Sequence, residues 1–248
     1  MRTDRNGRRP PAAGGIHSAG LLLLVATVTV LAASAPRGKA EGGPAPLSVL
    51  CAEPYAPVVK VLDTESSLGP LAAKTQTVKL EDLVRYHGHP CDGLVAASAG
   101  IAYGLHALFP NGVVVRTDVA AAVNASPCYG DAAAYLTGAR ARYHTLIIDK
   151  SLGDTWILHR RSTGKTVVVS LRKGIKPDNL PGLEKKLRSE GCDRPLIQRV
   201  QALQIKYSET VLSKPPQAVF SLKTLPSFAY EIGAVRADAV KARCARGE

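Results

Sequence analysis

The stretch from residue 87 to residue 123 reads HGHPCDGLVAASAGIAYGLHALFPNGVVVRTDVAAAV, and its reading decides the fold. It opens on His87-Gly88-His89-Pro90-Cys91-Asp92-Gly93, two imidazoles and a thiol within five residues. Gly93–Phe109 is rich in Ala and Leu and predicts a helix, which Pro110-Asn111-Gly112 stops. Val113–Val123 is β-branched and apolar and predicts a buried strand. Upstream, Leu80–Tyr86 predicts a short helix and Val58–Leu62 a brief strand. Downstream, Ser126-Pro127-Cys128 leads into a second helix at about Gly130–Gly138, and Leu146–Asp149 predicts a strand. Trp156–Arg161 and Lys165–Leu171 flank Ser162-Thr163-Gly164, a hairpin signal. Leu180–Glu190 and Pro195–Leu212 predict helices, Pro215-Pro216 stops the second, and Ala218–Leu222 predicts a last strand. Helices and strands mix without a regular βαβ repeat. The expected class is therefore α+β, a single core domain with a mixed or antiparallel sheet packed by helices.

Composition narrows the function classes. The 248 residues are 46% hydrophobic but only 5% aromatic, and the formal charge is +12. Residues 1–40 carry six of the basic side chains and one acid; without them the net charge is +7. The basic residues are scattered and lack interleaved aromatics, so a nucleic-acid partner is not expected. Arg2, Arg5, Arg8 and Arg9 precede the uncharged run Ala19–Ala35, and Gly38 and Ala40 are small residues before Glu41. This pattern predicts a signal peptide over 1–40 and a periplasmic or extracellular protein. An uncleaved anchor is the competing reading, and only it would bring the chain to a membrane; the run is short for a span. Residues 41–75 are expected to form an N-terminal extension, 76–225 the core, and 226–248 a basic tail. Five cysteines, Cys51, Cys91, Cys128, Cys192 and Cys244, remain beyond the signal, and no Cys-x-x-Cys occurs.

In an extended segment, residues two apart face one side, and Pro90 biases His89 toward extension. His87, His89 and Cys91 are therefore candidate metal ligands in one pocket. Imidazole and thiolate together suit Zn²⁺ or another borderline transition metal. Cys91 and Cys128 both fall at helix starts, where unpaired N–H groups favour a thiolate. Cys128 is the fourth candidate ligand, with Asp131 behind it, and Asp92 is a possible helix cap beside the thiol. A Cys91–Cys128 disulfide competes with the metal. His144 is a weaker candidate ligand. Gly164-Lys165-Thr166 lacks the leading glycine of a phosphate loop and reads as a turn.

These motifs resemble the family of the E subunit of formylmethanofuran dehydrogenase. His87-Gly88-His89-Pro90-Cys91-Asp92-Gly93 follows the family's His-Gly-His-x-Cys-Pro-Gly. Cys128-Tyr129-Gly130-Asp131-Ala132, with Thr137-Gly138 after it, follows Cys-x-x-Asp-Ala and Thr-Gly. Asp149, Gly153, Thr163-Gly164-Lys165 and Pro215-Pro216-Gln217-Ala218-Val219-Phe220 come in the family's order. The resemblance spans roughly residues 76–225. It implies an α+β core, often a homodimer, with a Cys/His pocket that can hold a metal such as zinc. The chain lacks the cysteines of the C-terminal zinc finger that some relatives carry. Asp92 stands where the family has proline, and Ala139 where it has a cysteine after Thr-Gly. The resulting expectation is an exported metal-binding domain whose pocket takes an unidentified small ligand. The alternatives are a thiol or redox protein using Cys91 and Cys128, or a partner subunit that binds another protein or a cofactor such as haem.

Overall fold

The computed structural model describes residues 47–62, 74–191 and 193–234. The expected signal peptide, Cys192, Cys244 and the end of the basic tail lie outside them. The elements are α1 (Leu47–Ala52), β1 (Val58–Leu62), β2 (Thr75–Lys79), α2 (Leu80–His87), α3 (Asp92–Leu108), β3 (Val113–Val115) and β4 (Val119–Val123). Then follow α4 (Pro127–Thr137), β5 (Leu146–Ile148), β6 (Thr155–Arg160), β7 (Lys165–Leu171), α5 (Leu180–Glu190), α6 (Arg194–Ser213), α7 (Pro216–Val219) and β8 (Phe220–Leu225). Helices with mixed sheets make this an α+β fold, and the expected helices and hairpin lie within a few residues of their predicted bounds.

The strands divide between two mixed sheets. A three-stranded sheet runs β2-β1-β3, with β1–β2 antiparallel and β1–β3 parallel. A five-stranded sheet runs β5-β4-β6-β7-β8, parallel only between β4 and β5. The division falls inside the predicted strand Val113–Val123. Arg116–Asp118 form one 3-10 turn there, so β3 joins one sheet and β4 the other. The reason is polar. The Asp118 carboxylate accepts from Arg160 Nε at 2.9 Å and from the Ser162 backbone and hydroxyl at 2.7 and 2.6 Å. A carboxylate tied to the tip of the β6–β7 hairpin cannot also sit in a straight buried strand.

Helix α3 is apolar almost all round, and Leu94, Ile101 and Leu105 are fully buried, as expected of a helix packed on every side. It lies across β6 and β7, while α4 lies across β4 and β5. Two glycines set the approach of α3 to the sheet. A Cβ on Gly100 would sit 2.8 Å from the Trp156 ring, and one on Gly104 2.7 Å from Leu158 Cδ1. The long helix therefore presents bare backbone to the bulkiest side chains of β6.

After β8 the chain crosses back over the five-stranded sheet, with neither helix nor strand as far as Ala234. Phe228 stacks on His159 with ring centroids 5.1 Å apart, and Tyr230 donates to Asp149 at 2.8 Å. His159 is buried and bonded to Thr166 Oγ1 at 2.8 Å. Burial depresses its pKa, and the nearby Asp118 only partly offsets this. A depressed histidine contributes stability above its unfolded pKa of 6.5 that is lost as pH falls below it. The urea midpoint of the wild-type chain should therefore drop further between about pH 7 and pH 5 than that of His159→Gln. Equal drops would remove His159 from the pH response.

Candidate metal centre

Three helix ends meet at the motif. Helix α2 ends on His87, because Gly88 takes a left-handed φ of 103° and its N–H closes onto Val84 O at 2.7 Å. That φ favours glycine, and it turns the chain at once toward α3. Cys91 is the N-cap of α3: its sulfur accepts from Leu94 N–H at 3.4 Å. Asp92 is thus the first helical residue, and the capping expected of it belongs to Cys91. Cys128 occupies the first turn of α4, after Pro127.

These ends bring the ligand atoms together. The ring nitrogens of His87 and His89 and the Cys91 sulfur all lie within 4.8 Å of one another, a group that can hold a metal ion. His87 Nε2 stands 3.6 Å from Cys91 Sγ, and Cys91 Sγ stands 3.2 Å from Cys128 Sγ. The rings of His87 and His89 tilt against each other at 4.7 Å. A helix end and a left-handed turn produce this convergence, not the extended alternation read from the sequence. His144 caps a separate 3-10 turn and is absent from the group; Cys128 also lies outside that group and meets it through the Cys91 sulfur.

Gly93, in the first turn of α3, also bears on α4. A Cβ there would lie 3.2 Å from Cys128 Sγ and 3.3 Å from its Cβ. The bare glycine therefore leaves room for the first turn of α4 against that of α3. A side chain there would press Cys128 back by a few tenths of an ångström.

Hydrogen bonding sets the chemistry of each donor. His87 Nδ1 donates to Asp131 Oδ2 at 2.8 Å, and the His87 ring is almost fully buried. This bond fixes the tautomer and leaves the Nε2 lone pair facing the sulfurs. Cys91 and Cys128 are free thiols. Their hydrogen bond pulls the Cys128 thiol below its usual pKa, helped by Ser126 and His87. The same bond, with burial, holds Cys91 above its usual range. The pair thus releases its first proton easily and keeps its second. Burial, then Glu184, pushes the Asp92 carboxyl up to about 6.

The group opens on a cavity of about 540 Å³ bounded by His89, Cys91 and Cys128 on one side and by Lys176, Glu184 and Gln204 on the other. Tyr129 and Asp154 also line it; the phenol donates to the carboxylate. A second cavity of about 280 Å³ meets His89, Cys91 and Asp92 beneath Ile205 and Ser208. The α5–α6 wall is invisible in the sequence. Its residues carry no metal-binding pattern and lie far along the chain from the motif. Among the described residues no helix is long and apolar enough to cross a membrane.

An FmdE-like protein of Syntrophus aciditrophicus, described as resembling the E subunit of a tungsten formylmethanofuran dehydrogenase, is 16% identical. The match covers 67% of this chain and 78% of that one, with a TM-score of 0.38. No curated protein matches the chain. The family model described as FmdE, Molybdenum formylmethanofuran dehydrogenase operon, matches residues 86–221, more than half of the sequence and all of the centre from His87 to Asp131. The chain belongs to the FmdE family.

Proposed function

We propose that the chain is an exported metal-binding domain whose centre holds zinc through His87, His89, Cys91 and Cys128, and whose cavity takes a small ligand beside that centre. The observation that carries this reading is the His87–Cys91–Cys128 geometry. Zinc bonds of about 2.0 Å to nitrogen and 2.3 Å to sulfur at a tetrahedral angle place the two atoms about 3.5 Å apart. His87 Nε2 and Cys91 Sγ are 3.6 Å apart. The same bonds set two sulfurs about 3.8 Å apart, so Cys128 needs to retreat only slightly from its 3.2 Å contact. The donors suit a borderline cation, and the easily lost first thiol proton prepares the sulfurs for one.

A zinc held by these four donors would keep both sulfurs as thiolates at the cavity wall. The chain's residues do the rest. Asp131 holds His87 in the tautomer that offers Nε2, and the N-terminal N–H groups of α3 and α4 favour charged sulfur. Tyr129 is kept protonated by burial and by Asp154, and its phenol donates to that carboxylate.

Two further expectations belong to this reading: residues 1–40 direct export, and the chain forms a homodimer. Sedimentation of the purified chain tests the second. For the centre, the test is metal content after reconstitution with zinc, iron and copper in turn. One equivalent of zinc per chain supports the reading, and a chain that retains none of the three overturns it. Asp131→Ala should cost about 10- to 100-fold in zinc affinity in a chelator competition, with the fold intact. Unchanged affinity would detach Asp131 from the centre.

A further inference from the structure

We infer that Cys91 and Cys128 form a reversible disulfide that evicts the metal, making this centre a modification site as well as a metal site. The metal half rests on the function proposed above; the disulfide half rests on the thiols alone. The two sulfurs are 3.2 Å apart. That lies between the separation of two thiolates on one tetrahedral zinc, about 3.8 Å, and a disulfide bond, about 2.05 Å. A small outward movement admits the ion, and a movement of about 1.2 Å inward forms the bond. One pair of sulfurs cannot do both.

The surroundings permit either movement. Both residues stand at helix starts, where backbone linkage can adjust without breaking a helix interior, and Gly93 sets no Cβ against Cys128. Both sulfurs line the open cavity of about 540 Å³, which admits a small oxidant. Cys51 stands on α1 and forms no part of the group.

The oxidant is a low-molecular-weight disulfide, RSSR. One cysteine thiolate attacks a sulfur of RSSR, forming a mixed disulfide and releasing RS⁻. The neighbouring sulfur attacks the protein sulfur of that mixed disulfide and releases the second RS⁻. The two cysteines lose two electrons, RSSR gains them, and two protons from solvent or from the thiols complete two RSH. With two of four donors consumed, Zn²⁺ leaves.

The experiment treats the zinc-loaded full chain with glutathione disulfide. Zinc release is followed with a chromogenic chelator, and linked peptides are mapped by mass spectrometry. A Cys91–Cys128 peptide that appears at the rate of zinc release, with both reversed by a thiol reductant, is the expected result. Stable glutathione adducts without that peptide would overturn the inference, as would a linked chain that keeps its zinc. The metal-free chain is mapped in parallel. If the wild-type chain never loads zinc, the metal reading fails. The disulfide is still decided by whether the metal-free chain yields the Cys91–Cys128 peptide. Cys128→Ser, which keeps His87, His89 and Cys91, should show no linked peptide and no coupled release.

Discussion

Cys91→Ser is expected to leave the chain folded and to lower its zinc affinity by about two orders of magnitude. Structural zinc sites bind with roughly 10–16 kcal/mol, so one of four donors accounts for about 3 kcal/mol. Cys91 also touches the other parts of the centre. Its sulfur meets His87 Nε2, Cys128 Sγ and the Leu94 N–H together. A serine hydroxyl still accepts from Leu94 and caps α3, since serine is a favoured N-cap. Stability without metal should therefore change little, while metal binding should collapse. Chelator competition measures the affinity, and thermal unfolding of the metal-free chains measures the fold. Equal zinc affinity in the two chains would remove Cys91 from the centre. A large loss of metal-free stability would recast it as a structural cap.

Trp156→Ala is the substitution expected to cost most stability, about 3–5 kcal/mol. Trp156 is fully buried in β6. Its ring lies 5.0 Å from that of Tyr129 and edge-on to Phe220 at 5.8 Å, beneath the bare backbone of Gly100. Its Nε1 has no hydrogen-bond partner among the described residues, so the loss is one of packing. The cavity left behind would lie under the first turn of α4, where Tyr129 follows Cys128. Zinc affinity should weaken along with stability, whereas Trp156→Phe should recover most of both. Urea unfolding and chelator competition on the two variants check this. A Trp156→Ala chain within about 1 kcal/mol of wild type by urea unfolding would show that the α3–sheet interface does not anchor the fold.

Much of this fold is written in local sequence. The α3 pattern, the hairpin at Thr163-Gly164 and the Pro-stopped α6 are decided by neighbours, so spacing alone exposes them. So is the group that could hold a metal, because His87, His89 and Cys91 share one segment. The split of Val113–Val123 is not legible, because Asp118 is drawn out by Arg160 and Ser162 from a hairpin far along the chain. Nor is the route by which the donors converge. Extended alternation and a left-handed Gly88 both bring His87 near Cys91, and only the backbone distinguishes them. Gly93 reads as the first residue of a helix, yet its lack of a Cβ matters most to Cys128 on another helix. The cavity wall of α5 and α6 leaves no trace, since Gln204 and Glu184 read as ordinary helix-surface residues.

X-ray absorption at the zinc edge on the reconstituted chain tests the proposed centre most directly. Two sulfur neighbours at about 2.3 Å with two nitrogens at about 2.0 Å are the expected shell, and one sulfur should be missing in Cys128→Ser. A shell of oxygen and nitrogen alone, unchanged by that substitution, would contradict it.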